Sequence, residues 1–490
     1  MKKKIIILAI LASFAGTAAN AQQRLESGYF VDTYNYRHQL NPAFASSRSY
    51  FSILGLGNTS LTLQGNVGVS NFLYPYRDGM ATTFMNSSVS AEQFLSGLKK
   101  NNKLGADFSL PVVSVGQFGR KGGFTTVEFN IRTNASVNLP YELFDFMKNI
   151  GARQTYDISN IAVRTQAYAE LALGHAHKIT DRLNVGAKVK FLVGLANADA
   201  RIDNMHVSMN ENSWDVTASG SINASFPGLK MATKGETGTA TDPSENNEVD
   251  FDALGDGFDE INSAKDIFSS MGYGVAFDLG ASYEFDSGLL EGLSLSASVL
   301  DLGFISWGKA VSATTGSNSW TFDGFDEISF ESGENSLSEQ INSLGDSFSD
   351  LLKFERQGES KGKSGMLACT VNVGAEYEMP FYRNLSVGVL SSTRIAGPYS
   401  HSEGRLSVNV EPTDWFGFST SYGISTFGST WGAVASFSFP GIGLFIGTDT
   451  IPLRLARINS VSVPYGKLNL NLNFGLSFNI SKVRELGERK

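Results

Sequence analysis

The stretch Leu468-Asn469-Leu470-Asn471-Leu472-Asn473-Phe474-Gly475-Leu476-Ser477-Phe478-Asn479-Ile480 alternates apolar and polar residues without a break. Side chains alternate across a strand, so one face is Leu, Phe and Ile and the other is Asn, Gly and Ser. At about 3.3 Å per residue the run spans about 40 Å, longer than most globular strands. The same period recurs from Ile161 to Gly174, and from Val371 to Met379, where Asn372, Gly374, Glu376 and Glu378 fill the polar face. A sandwich in water alternates too, but its polar face favours Lys and Glu. Amides, serines and glycines opposite a greasy face fit a membrane barrel, with apolar residues outward and polar ones in the lumen.

The remainder of the chain supports that reading. Of 490 residues only 18% are charged, with 51 Gly and 35 Phe. Lys2, Lys3 and Lys4, the apolar run Ile5 to Ala15 and Ala19-Asn20-Ala21 read as a removable export leader, 1–21, leaving Gln22 first. The apolar run is too short to span a bilayer, which takes about 20 residues. No cysteine follows the cleavage site, and no later stretch reaches the length of a spanning helix. An exported chain without such a helix crosses a membrane only as a closed barrel. Without the leader, 36 basic residues face 48 acidic ones, so no nucleic-acid partner is expected. The single Cys369 excludes an intrachain disulfide and cysteine-rich metal sites, and its parity with Val371 and Val373 makes it a small hydrophobe.

The expected fold class is all-β: a transmembrane antiparallel β-barrel over 49–480, monomeric, with short helices in its loops. Fifteen candidate strands are legible, and 201–220 reads as one strand or as two broken near Asn210-Glu211-Asn212. An even number is expected, 14, with 16 the alternative. Short connections near 286–290, 380–383, 411–413 and 440–441 alternate with longer ones, which places the C-terminus in the periplasm. Two long loops, 222–270 and 305–365, carry acidic residues (Glu245, Glu248, Asp250, Asp256, Asp259, Glu260, Asp323, Asp326, Glu327) without calcium-loop spacing. They read as solvated or lid-like surface. A helix is expected near 335–354. Two earlier helices, Val89 to Lys100 and Pro140 to Ile150, put Phe94 and Leu98, and Leu143, Phe144 and Met147, on apolar faces. They are expected in the lumen or at the barrel mouth, as an extracellular cap or as the lining of a hydrophobic vestibule.

Catalytic motifs are absent: there is no nucleophile elbow, zinc-protease helix or phosphate loop, so no enzyme, cofactor or metal is expected. His175 and His177 share a strand face but lack a third ligand. Glu376 and Glu378 also share a face; a wet lumen explains them, with Arg164 or Arg394 expected to neutralise them.

The N-terminal block Ser27-Gly28-Tyr29-Phe30, with Tyr34-Asn35-Tyr36-Arg37-His38-Gln39-Leu40-Asn41-Pro42-Ala43-Phe44, carries a resemblance. With Gly68 to Pro75, Asn102-Lys103-Leu104 and Asn138 to Tyr141, it resembles an uncharacterised family of Bacteroidota outer-membrane barrels. More distantly the chain resembles the long-chain fatty-acid transporter (FadL-like) superfamily. That resemblance implies a segment, 22–48, folded into the lumen as a plug around the Asn41-Pro42-Ala43 turn. Tyr34, Tyr36 and Phe44 are then expected against the wall, and Arg37 paired with a carboxylate such as Glu376. It is compatible with passive uptake of a small hydrophobic or amphipathic compound, which is expected either to pass a constriction at the plug or to leave laterally where a kink opens a strand. The alternative is a non-transporting scaffold in outer-membrane lipid for a periplasmic or surface protein. The departure is the end of the chain, where a charged tail, 481–490, follows Ile480.

Overall fold

The computed structural model describes residues 24–75, 81–150, 152–210, 214–253, 268, 271–315, 320–322, 352–362, 364–451, 455–458, 461–464, 466–467 and 469–488. The leader, most of the helix expected at 335–354, and Asp256, Asp259, Glu260, Asp323, Asp326 and Glu327 lie outside the described residues.

The wall is a closed antiparallel barrel of 14 strands. They are β1 (Tyr50–Ile53 and Thr59–Gly65), β2 (Asn101–Phe118), β3 (Phe124–Pro140), β4 (Thr155–Lys178) and β5 (Leu183–Met209). Then follow β6 (Trp214–Ser225 and Gly272–Glu284), β7 (Leu293–Ser306, Lys309–Thr315 and Trp320–Phe322) and β8 (Phe354–Lys361, Ser364–Met366 and Cys369–Met379). The last six are β9 (Tyr382–Ile395), β10 (His401–Thr413), β11 (Phe416–Ser425), β12 (Gly428–Ser438), β13 (Gly443–Thr448) and β14 (Leu470–Asn479). β14 pairs with both halves of β1, and β1 pairs with β2, so closure leaves no edge.

The count of 14 rests on β6. Ser225 faces Asn197 of β5, and Gly272 faces Gly194. Its two halves therefore continue one line, and 226–271 is an insertion within a single wall strand. The stretch 201–220 divides between β5, which ends at Met209, and β6, which begins at Trp214.

The orientation is that of a membrane barrel. In β14, Asn471, Asn473, Ser477 and Asn479 are buried while Phe474 is 47% exposed and Leu472 41% exposed. β10 repeats this, with Arg405, Ser407 and Asn409 inward and Leu406 and Val408 outward. Aromatic side chains mark both rims. Trp415 stacks on Phe439 (5.0 Å between centroids) at the short-turn end, and Tyr422 meets Trp431 (5.8 Å) at the long-loop end.

The ends of β4 to β8 extend beyond the rest of the wall. Ile158, Ile202, Met205, Val207, Val216 and Ala313 form a second apolar core there, with Met231 and Val249 from the insertion. In the described part of the insertion, 226–253, Arg356 forms a fork on Glu236 (2.8 and 2.6 Å), and Asp250 accepts from Thr237 and Thr239.

Candidate functional site in the lumen and at the long-loop end

Residues 24–48 lie inside the barrel and are bonded to strands on every side of it. Asp449, just past β13, accepts from the backbone amides of Glu26 and Ser27 (2.8 and 2.7 Å). Arg24 pairs with Asp301 of β7 (3.0 Å), and Asn35 donates to Ser477 and Asn479 of β14. Ser298 of β7 and Asn372 of β8 both donate to Leu40 O. Tyr29, Tyr34, Tyr36 and Phe44 form one aromatic cluster, in which Tyr34 meets Phe445 edge-on (4.8 Å) and Tyr36 meets Tyr50 (5.2 Å).

The Asn41-Pro42-Ala43 turn needs a smooth wall. Asn41 Oδ1 accepts from the amide of Ala43 (3.0 Å), while its Nδ2 reaches Tyr29 Oη and the carbonyls of Ala281 and Ala297. The turn rests on two glycines. A Cβ on Gly186 would stand 1.9 Å from Pro42 O, and one on Gly280 would stand 2.0 Å from Asn41 Oδ1.

Two charge clusters stabilise this packing. In the first, Glu128 of β3 takes Lys188 of β5 (2.7 Å) and Gln39 (2.6 Å). Lys188 Nζ also donates to His38 Nδ1 (2.9 Å). An ammonium can only donate, so Nδ1 is the acceptor; Nε2 carries the proton and gives it to Tyr50 Oη (2.6 Å). The second lies nearer the long-loop end. Lys190 bridges Asp278 (2.7 Å) and Asp301, and Arg132 reaches Glu170 (2.7 Å) and Asp301 (3.5 Å). Buried charges persist only when paired in this way.

Three sequence expectations need correction. Arg37 ion-pairs with Asp32 and lies over the Phe44 ring (4.3 Å), while Glu376 accepts from Ser386; Glu376 and Glu411 face Arg37 without a direct ion pair to it among the described residues. Arg164 and Arg394 do not neutralise Glu376 or Glu378. Arg164 pairs with Asp199 (2.8 Å), and Arg394 sits toward Asp107 and Asp301 at the other end of the lumen. Of the two places expected for the early helices, they do not occupy the lumen; they lie at the long-loop mouth, against the outer face of the wall. They shorten to α1 (Ala91–Leu95) and α2 (Tyr141–Lys148). Phe94 and Leu98 pack with Phe72, Phe84 and Phe144 against Leu104 of β2 and Leu139 of β3, which belong to the outward alternation that includes Phe108 and Phe129. Phe94 stacks on Phe84 (4.1 Å), so the cluster is a packed core. Leu143 turns to the other core, with Phe146 and Tyr156, and Met147 touches both.

In β1 the ladder is irregular at mid-height. From Phe51 to Thr59 the chain advances eight residues, while its partners in β14 advance four, from Phe478 to Phe474. Leu54 and Gly55 take left-handed backbone (φ 57° and 76°). Leu54 is 81% exposed on the outer surface, whereas Asn58 turns inward and donates to Gln39 (2.7 Å).

The residues the sequence reading missed are those that grip the N-terminal segment, Glu128, Lys188, Asp301 and Asp449, and Lys190, which pairs with Asp301 in the wall. One signal was available. Lys188 and Lys190 stand two apart at polar positions of a strand with few other charges.

Among solved structures, the chain aligns with the P. putida toluene transporter TodX at 10% identity and a TM-score of 0.36, covering 92% of this chain and 94% of that one. The Ralstonia pickettii toluene transporter TbuX aligns at 8% and 0.36, covering 92% and 93%. The CymD monoaromatic hydrocarbon channel aligns at 8% and 0.36, covering 93% and 95%. No curated protein matches the sequence. The model of a family of unknown function, DUF5723, matches residues 42–449, from the Asn41-Pro42-Ala43 turn to the aspartate that holds the N-terminal segment, and the chain belongs to that family.

Proposed function

We propose that this protein is an outer-membrane barrel for passive passage of a small hydrophobic or amphipathic compound, entering from the cell surface and leaving sideways through the wall. It uses no energy source and performs no chemistry. Residues 22–48 act as a plug that closes the straight path. The observation that carries this reading is the break at 54–58. It lies at mid-height, presents Leu54 and Leu56 to the membrane, and is tied on its inner side to the plug through Asn58 and Gln39. The aromatic cluster of Phe72, Phe84, Phe94 and Phe144 lies on the outer face beside the other end of β1 as a packed core, so it braces that face and presents no open vestibule.

The test is to delete 54–57, which equalises the advance of β1 and β14 while keeping the inside–outside alternation. Liposomes with the wild-type barrel are expected to take up a monoaromatic or short-chain amphiphile faster than empty ones, and the deletion is expected to abolish the gain. Uptake unchanged by the deletion would reject lateral exit.

One observation favours a second reading, a non-transporting scaffold for a periplasmic or surface protein. Residues 24–48 are fixed to the wall on all sides by buried ion pairs and hydrogen bonds. That reading predicts no uptake by the wild type and a stoichiometric protein partner on purification.

A further inference from the structure

Past β14 the chain stays against the barrel. The Ile480 amide donates to Ser49 O (2.8 Å), the Ser49 amide to Ser481 Oγ (2.8 Å) and the Arg484 amide to Ser47 O (2.9 Å). Arg48 adds a bond from Nη1 to Ser481 O (3.2 Å). The run 480–484 therefore lies antiparallel to 47–49, which is the joint between the luminal segment and β1.

The rest of 481–488 reaches the ends of β2 and β4. Leu486 packs against the luminal aromatic cluster that holds Tyr34, Tyr36 and Phe44. The Arg484 guanidinium lies over the Phe118 ring at the end of β2 (5.2 Å). In the β2–β3 turn, Gly122 O accepts from the Gly487 amide (2.9 Å). Both glycines are left-handed (φ 80° and 88°), and a Cβ on Gly122 would stand 2.6 Å from Gly487 C. A Cβ on Gly487 would stand 2.8 Å from Lys178 Cδ, at the end of β4. Only glycine lets two backbones approach this closely in that conformation. The opposite side of the segment is exposed and charged, with Lys482, Glu485 and Glu488 in solvent.

The wall closes without these contacts, because β14 pairs with β1 through residues 470–479. From Ser481 onward the contacts fall on the joint, on the luminal cluster and on the ends of β2 and β4. The segment thus ties the joint to the wall on the far side of β1.

We propose that 481–488 is an autoinhibitory strap: it clamps the joint at 47–49 from the short-turn end and holds the whole luminal segment in its closed position. Residues 24–48 are continuous with β1 through that joint, so a shift of the segment toward the short-turn end requires the strap to peel away. The proposal goes beyond the passage reading. It holds for a transporting or a non-transporting barrel, and its test reads exchange rather than uptake.

Hydrogen exchange is followed in the folded protein in detergent, for the full chain, for a chain ending at Ile480 and for Leu486→Asp. Amides from 33 to 46 make no hydrogen bond to the strap among the described residues, so they report on the segment as a whole. In both variants they are expected to exchange at least about tenfold faster, while β10 to β12 keep their protection. Leu486→Asp retains the full length and tests the proposal even where the shortened chain does not fold. Faster exchange confined to 47–49 in a folded variant would reduce the strap to a local contact and overturn the proposal. Equal loosening of 33–46 and of β10 to β12 would make it a staple of the wall, which also overturns it.

Discussion

His38 shows how single side chains control the luminal segment. Burial, and then the ammonium of Lys188, push its imidazole down to about 3. The unfolded chain takes up that proton near the ordinary histidine value of about 6.5. Between those values the unfolded state holds more protons, so stability is whole above about 6.5 and falls as the pH drops toward 3. From pH 6.5 to 5 the loss is about 2 kcal/mol. The urea midpoint of the heat-modifiable band is expected to fall between pH 8 and pH 5, and His38→Gln is expected to flatten that slope while lowering the midpoint at pH 8. Equal slopes in the two proteins would exclude His38 as the titrating group. None of this was legible from the sequence, because Glu128 and Lys188 lie far from His38 in the chain and only barrel closure brings them together. Tyr34, Tyr36 and Phe44 were expected against the wall only through the resemblance carried by the N-terminal block, not through any local pattern of their own.

At the scale of elements, the sequence conveys strand period well and strand continuity poorly. The run from Leu468 to Ile480 announces β14 and its inverted orientation. Nothing local reveals that Trp214–Ser225 and Gly272–Glu284 are halves of one strand, because both pair with β5 and an insertion separates them. The helices were recognised by their period, but a period names an apolar face without naming what covers it. The same limit applies to glycines. Gly186 and Gly280 look like ordinary strand glycines, yet each clears space for the Asn41-Pro42-Ala43 turn. Gly186→Val is therefore expected to expel the turn and leave the wall closed, at a cost of about 1–3 kcal/mol for overpacking. Hydrogen exchange is the measurement: amides from 24 to 48 should lose protection while those of β10 to β12 keep theirs. Unchanged protection in 24–48 would mean that the turn does not depend on that contact. Asp449→Ala should act at the other end, exposing the amides of Glu26 and Ser27 first, since Asp449 holds both.

At the scale of the molecule, the wall and its contents answer different physical demands. Closure of 14 strands satisfies every backbone group that an open edge would leave facing lipid, and it does so without help from residues 24–48. The luminal segment instead satisfies side chains. Asp301, Glu128 and Asp449 would otherwise face a wide polar interior with fewer partners. This separation predicts that the two can be uncoupled. A chain lacking residues 24–48 is expected to fold into a barrel that still resists SDS at room temperature, because the ladders from β1 to β14 are intact. Its interior would be lined by Asn, Ser, Lys and Arg side chains free to hydrate, so planar bilayers should show discrete conductance steps where the full protein shows none. Conductance that falls again when a synthetic peptide of residues 24–48 is added would tie the seal to that segment. A deletion variant that folds yet stays non-conducting would show that loop 396–400 or the tail closes the lumen independently. The tail is placed for that, with the Arg484 amide bonded to Ser47 O and the Gly487 amide to Gly122 O beneath the short-turn end.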